Sequence, residues 1–133
     1  MRIICVDDAL PILEDTVAIC RGLPQVAEVT GFTRPREALE WLATHPVDLA
    51  LLDIDMPKIN GLMLAEQLKR RYPDAAVIFL TTFPQFPVQA FKLRATGYLF
   101  KPVSPQELEE EVAYACGRRT PRPAGGIYGV PTA

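Results

Sequence analysis

Five short apolar runs alternate with longer stretches of helical period, and this alternation constrains the fold more than any single residue does. The runs cover residues 3–6, 26–30, 47–52, 76–80 and 98–100. Runs this short, some bounded by polar or turn residues, read as buried strands of a parallel sheet. Strand–helix alternation repeated five times predicts a doubly wound α/β domain, with helices on both faces of a five-stranded sheet. A chain of 133 residues, 49% of them hydrophobic, suits one domain with a real core.

The stretches between the runs carry helix signals. Ile12, Val17 and Ile19 give an approximate apolar face that stops at Gly22. Thr33 is placed to cap a helix that begins near Pro35 and turns Ala38, Leu39 and Leu42 inward. Leu62, Leu64, Ala65 and Leu68 mark a third helix ending near Tyr72 and Pro73. The last helix has the clearest start: Ser104 as N-cap, Pro105 in the first position and Glu107 completing a capping box. Leu108, Val112 and Ala115 share its inner face, with Glu109, Glu110 and Glu111 read as a solvated face. The pattern stops after Gly117, and residues 118–133, rich in Pro and Gly, read as a linker or tail behind a domain of residues 1–117.

Charge and composition exclude several classes. Lys and Arg number 14 against 16 Asp and Glu, a net charge of −2, with no clustered basic surface for nucleic acid. No apolar stretch approaches a membrane span, and no signal peptide opens the chain. Three cysteines (Cys5, Cys20 and Cys116) read as buried, reduced thiols of a cytoplasmic protein.

The chemistry lies where the strands end. Asp7 and Asp8 follow the first strand, and Asp53 ends the third with Asp55 two residues on. Thr81 and Thr82 end the fourth strand, and Lys101–Pro102 end the fifth. In a parallel sheet these ends share one edge, where ligands bind at the point at which the strand order reverses. In the order 2-1-3-4-5 strands one and three are neighbours, so Asp7, Asp8 and Asp53 crowd together. Two carboxylates about 5 Å apart repel by roughly 3 kcal/mol at an effective dielectric near 20. Lys101 supplies one positive charge, and a hard divalent ion with oxygen ligands supplies the rest, Mg²⁺ or Mn²⁺. Such an ion clamps a phosphoryl oxygen, and a carboxylate can take the phosphoryl group as an aspartyl phosphate. Singly, an Asp at a strand end is ordinarily a turn or cap residue and Lys101 a surface lysine. An acidic pair, an acid, a hydroxyl and a lysine, each ending a different strand, are a set.

The stretches Ile3-Ile4-Cys5-Val6-Asp7-Asp8, Leu51-Leu52-Asp53-Ile54-Asp55-Met56-Pro57 with Asn60-Gly61, Val77-Ile78-Phe79-Leu80-Thr81 and Gly97-Tyr98-Leu99-Phe100-Lys101-Pro102 together resemble the receiver domains of two-component response regulators, of the CheY-like fold. Residues 83–101, with Ala90 and Phe91, look most like receivers of the LytR/AlgR type. The resemblance implies that Asp53 is the phosphoacceptor and that Asp8 binds Mg²⁺ directly. It also implies that Asp7 binds the ion directly or through water and that the backbone carbonyl of Asp55 completes the set. Lys101 would pair with the phosphoryl oxygens and Thr81 would move to hydrogen-bond them. Tyr98 would then turn inward, and a cis peptide bond before Pro102 would aim Lys101.

Three positions depart from the family pattern: Ala9 in place of a third acid, Thr82 in place of a smaller residue, and Gly97 in place of an acid. Pro84 and Pro87 should stiffen the loop after the fourth strand. The resemblance also implies a histidine kinase or phosphotransfer protein as phosphodonor. An effector, with transcription as the output, would follow the tail, or the chain would be a stand-alone receiver or phosphorelay intermediate. The signalling face would be the fourth helix, fifth strand and fifth helix, often a homodimer interface, with Phe86, Phe91 and Tyr98 near it. A degenerate receiver working as a plain interaction module is one rival, against which the intact Asp8, Asp53, Thr81 and Lys101 set argues, and two more differ in class. Asp53-Ile54-Asp55 is similar to the nucleophile motif of haloacid-dehalogenase-type phosphohydrolases, but it follows the third strand rather than the first. A flavodoxin-like cofactor module would need a hydroxyl- and Gly-rich cradle where Asp7 and Asp8 stand.

Overall fold

The computed structural model describes residues 1–82 and 94–117. Strand β1 (Arg2–Val6) leads to helix α1 (Leu10–Arg21), β2 (Glu28–Phe32) to α2 (Pro35–Leu42), and β3 (Leu49–Asp53) to α3 (Gly61–Arg71). Strands β4 (Ala76–Thr81) and β5 (Gly97–Phe100) precede the C-terminal helix (Pro105–Gly117). The strands form one sheet in the order β2-β1-β3-β4-β5, parallel at every pairing.

Side chains alternate across the sheet with a period of two, so each strand feeds two cores. Ile4, Val6, Ala50, Leu52, Val77, Phe79 and Tyr98 face α2 and α3, meeting Ala38, Leu42, Leu64, Ala65 and Leu68. Ile3, Cys5, Leu49, Leu51, Ile78, Leu80 and Leu99 face Leu13 and Cys20 of α1 and Leu108, Val112 and Ala115 of the C-terminal helix. Every residue of β3 and β4 is buried, as strands in the middle of a parallel sheet must be. The predicted doubly wound α/β fold is therefore the fold observed.

Several local expectations need correction. β2 lies two residues later than its apolar run, because Val26 turns back onto Leu23 and pairing with β1 carries the strand on to Phe32. Gly31 packs closely there, since a Cβ would stand 3.0 Å from the Val17 side chain of α1. Ile12 is exposed, and α1 instead buries Leu13, Thr16 and Cys20, with the Thr16 hydroxyl bonded to the Ile12 carbonyl. Thr33 is not the cap of α2; Arg34 holds that position in extended geometry, directly before Pro35, and caps with no side chain. Cys116 is exposed, unlike Cys5 and Cys20.

Glu111 departs furthest from its expected place on a solvated face: it is 1% exposed. It sits one residue before the apolar stripe position Val112, and its carboxylate fills the space where a side chain at Gly97 would begin. The Ser104 cap is present: its hydroxyl accepts from the Glu107 N–H at 3.1 Å and bonds the Glu107 carboxylate. Pro84, Pro87, Phe86, Phe91, the fourth helix of the expected fold and the tail after Gly117 lie outside the described residues.

Candidate functional site

The five strands deliver their ends to one edge by register. Val6 pairs with Leu52, Asp53 with Leu80, and Thr81 with Phe100, so Asp7 comes level with Asp53, with Thr81 one residue and Lys101 two residues beyond them on the same edge. Two backbone hydrogen bonds extend the ladders past the strands: Asp7 N–H to the Phe32 carbonyl at 3.1 Å, and Lys101 N–H to the Thr81 carbonyl at 2.8 Å. The Lys101–Pro102 peptide bond is cis.

Asp7, Asp8 and Asp53 each place a carboxylate oxygen within 4.8 Å of the others, with Asp7 and Asp53 buried and Asp8 exposed. Lys101 crosses from β5 to join them. Its ammonium donates to Asp7 Oδ2 at 2.7 Å and lies 3.4 Å from Asp53 Oδ1. Asp7 Oδ1 also accepts from the Ala9 backbone N–H at 3.0 Å. Asp53 Oδ1 accepts from the Asp55 N–H at 3.2 Å. Both contacts of Asp53 fall on Oδ1, which leaves Oδ2 without a hydrogen-bond donor among the described residues.

Electrostatics follow from this arrangement. Burial and then the neighbouring Asp7 charge push the Asp53 carboxyl up to about 7, against the opposing pull of Lys101 and the Asp55 N–H. One lysine thus does not balance the set. Carboxylates within 4.8 Å still repel by about 3 kcal/mol a pair at an effective dielectric near 20. A buried carboxyl of this kind, pushed up by burial and a neighbouring acid, fits a site completed by a hard cation.

Thr81 and Tyr98 are both fully buried. Tyr98 stands in the inward position, edge-on to Phe100 at 5.4 Å and tilted against Phe79 at 6.3 Å between centroids. Thr82, next to Thr81, is exposed.

Gly61 carries a role that the motif reading did not give it. A Cβ there would collide with the backbone carbonyl of Asp53 itself, and the Gly61 N–H donates to the Ile54 carbonyl at 3.0 Å. Asn60 caps α3 with its side chain on the Met63 N–H at 2.9 Å. The Asn60-Gly61 pair therefore seats the start of α3 against the Asp53 backbone. Its sequence signal was an Asn-Gly turn opening a helical period.

A parallel sheet in this order, with three acids and a lysine at its carboxyl edge, defines a receiver-type phosphoacceptor module. The comparisons agree. The profile of the response regulator receiver domain matches residues 3–113, and the chain belongs to that family. It is 35% identical over 117 residues to the positive alginate biosynthesis regulatory protein of Pseudomonas aeruginosa, covering 86% of this chain and 47% of that protein. It is 28% identical over 112 residues to the transcriptional regulatory protein LytR of Staphylococcus aureus, covering 84% of this chain and 46% of that protein. The chain thus spans a little under half the length of these relatives. A CheY-like response regulator receiver domain protein from Methanospirillum hungatei superposes with a TM-score of 0.80 at 29% identity, covering 89% of this chain and 94% of that one. The response regulator TrrA of Thermotoga maritima, solved in complex with Mg²⁺ and BeF, does so with 0.76 at 29%, covering 86% and 97%. No helix among the described residues is long and apolar enough to cross a membrane.

Proposed function

We propose that this receiver domain accepts a phosphoryl group on Asp53 and that the acceptance is a switch, not a turnover reaction. The observation that carries this is the joint placement of Asp7, Asp8, Asp53 and Lys101 at one edge, with no hydrogen-bond donor on Asp53 Oδ2 among the described residues. Oδ2 attacks phosphorus and the bond from phosphorus to the donor's leaving atom breaks. The leaving group departs with that electron pair. Lys101, already between Asp7 and Asp53, swings to the new phosphoryl oxygens, and the Asp55 N–H keeps Oδ1 in place.

The acids fit a small divalent cation, Mg²⁺ or Mn²⁺, which would be held by Asp8, Asp7, Asp53 and the Asp55 backbone carbonyl. When bound it neutralises the carboxylates and binds a phosphoryl oxygen. Thr81 and Tyr98 then form the readout: the hydroxyl turns to the phosphoryl group, and the inward Tyr98 is stabilised behind it. Residues 1–117 form the switching unit and residues 118–133 the connection to what it controls. The donor is a histidine kinase or phosphotransfer protein in the cytoplasm. In a longer protein the output is transcription, transmitted through the face containing β5 and the C-terminal helix, by homodimerisation.

Incubation with acetyl phosphate and Mg²⁺ tests this reading. The wild type is expected to gain the mass of one phosphoryl group and Asp53→Ala none; equal labelling of both overturns it.

A further inference from the structure

A groove of about 480 Å³ opens beside the acceptor, lined by Asp8, Thr33, Arg34, Pro35, Arg36, Pro57, Lys58 and Ile59. It lies between the loop entering α2 and the loop leaving β3. Nothing in the proposed phosphorylation chemistry uses it except Asp8, which belongs to both.

Its charge runs against the rest of the chain. The whole carries a net charge of −2, yet three cations and one carboxylate line this groove. Among the described residues Arg36 and Lys58 form no ion pair. Arg34 has only an exposed contact with Glu37 at 3.6 Å, a kind of pair that holds little energy. Pro35, Pro57 and Ile59 line the same groove, each next to a cation in the sequence. Apolar and cationic side chains mixed in one groove suit a protein segment more than a small anion.

The groove is also preformed. Lys58 sits at φ 67°, in the left-handed region, fixed by the short turn in which the Ile59 N–H donates to the Pro57 carbonyl at 2.8 Å. The Met56 and Gly61 N–H groups both donate to the Ile54 carbonyl, tying this loop to the end of β3. Pro35 fixes the other wall at the first turn of α2. The backbone that carries the cations is therefore set before a partner arrives, so only their side chains are ordered on binding.

We infer that this groove docks a carboxylate-bearing segment of the phosphodonor protein, with an apolar side chain between the carboxylates. The inference rests on the receiver reading, because the groove matters for transfer only if Asp53 beside it is the acceptor. Arg34, Arg36 and Lys58 are then specificity residues. They draw an acidic partner to the side of the site formed by β2 and β3 and set its register against Asp53.

The test uses a synthetic peptide of repeated Glu-Glu-Leu as the probe and amide NMR of the full chain as the readout. Shifts are expected at Thr33, Arg36, Lys58 and Ile59, with affinity falling at least about tenfold when all three cations are changed (Arg34→Gln, Arg36→Gln, Lys58→Gln), because every long-range attraction is then removed. An all-Glu peptide is expected to bind at least about fivefold more weakly, since it lacks the apolar contact. Shifts elsewhere, unchanged affinity in the triple variant, or equal binding of the all-Glu peptide each overturn the proposal. Labelling of the same sample by acetyl phosphate is scored separately. Its failure sinks the receiver reading, while normal labelling with no peptide binding sinks only the groove.

Discussion

At Asp53 two forces oppose each other within one side chain. Burial and Asp7 hold its carboxyl near 7, while Lys101 and the Asp55 N–H pull it down. The consequence for stability has a definite sign. An unfolded aspartate loses its proton near 3.8 and the folded one near 7, so between these values the native state binds more protons. Stability from this group is complete below about 3.8 and is lost as pH rises to about 7. In metal-free protein the loss is on the order of 1 to 4 kcal/mol, and Asp53→Asn should abolish it. Urea midpoints at pH 5 and pH 8 check this: the difference between wild type and variant should be larger at pH 8, with the variant the more stable. A variant equally or less stable at pH 8 contradicts the electrostatic account. The strand-end set itself was legible in the sequence, since Asp7, Asp8, Asp53, Thr81 and Lys101 each follow an apolar run. The position of Tyr98 was not, because which way a side chain turns at a strand end depends on packing against Phe79 and Phe100.

Between elements, two glycines separate rigid from yielding contacts. A Cβ at Gly61 meets the Asp53 backbone, which cannot move without moving the Asp53 carboxylate; a Cβ at Gly97 meets the end of the flexible Glu111 side chain. Gly61→Ala should therefore cost about 2–3 kcal/mol and slow phosphorylation, and Gly97→Ala about 1 kcal/mol or less with little change in rate. Denaturant titration with acetyl phosphate kinetics reads both, and the reverse order contradicts the packing assigned here. The helix ends behave similarly. Tyr72 Oη donates to the Leu42 carbonyl at 2.5 Å and Arg71 to the Ala43 carbonyl, so the end of α3 satisfies the orphan carbonyls of α2. This is also where sequence reading reached its limit. Elements came through because each has its own period, and the Ser104 cap because it is local. Ile12 exposed, Thr33 displaced by Arg34 as cap, and Glu111 buried are all decided by the neighbour each residue meets. The missing Cβ at Gly97, 14 positions from Glu111, leaves no trace in the helical period of the C-terminal helix.

For the whole molecule, the order β2-β1-β3-β4-β5 puts residues distant in sequence, from Asp7 to Lys101, into one site. The alternation of runs predicted the doubly wound class; the order itself entered as a condition, in keeping with the CheY-like resemblance, and the crowding of the acids was its consequence. A cation that binds the folded site alone stabilises it by RT ln(1 + [L]/Kd), about 2.7 kcal/mol at a hundredfold excess over Kd. Mg²⁺ should therefore raise the thermal midpoint of the wild type at pH 8, and Asp8→Asn should remove most of that rise; an equal rise in the variant would place the ion elsewhere. The most direct measurement of the central claim is chemical location of the phosphoryl group. After acetyl phosphate and Mg²⁺, borohydride reduces an acyl phosphate to the alcohol, converting a phosphorylated aspartate to homoserine. Peptide mass spectrometry should find homoserine at position 53 alone, and none in Asp53→Asn. Homoserine at another aspartate, or none in protein that has gained phosphoryl mass, would contradict Asp53 as the acceptor.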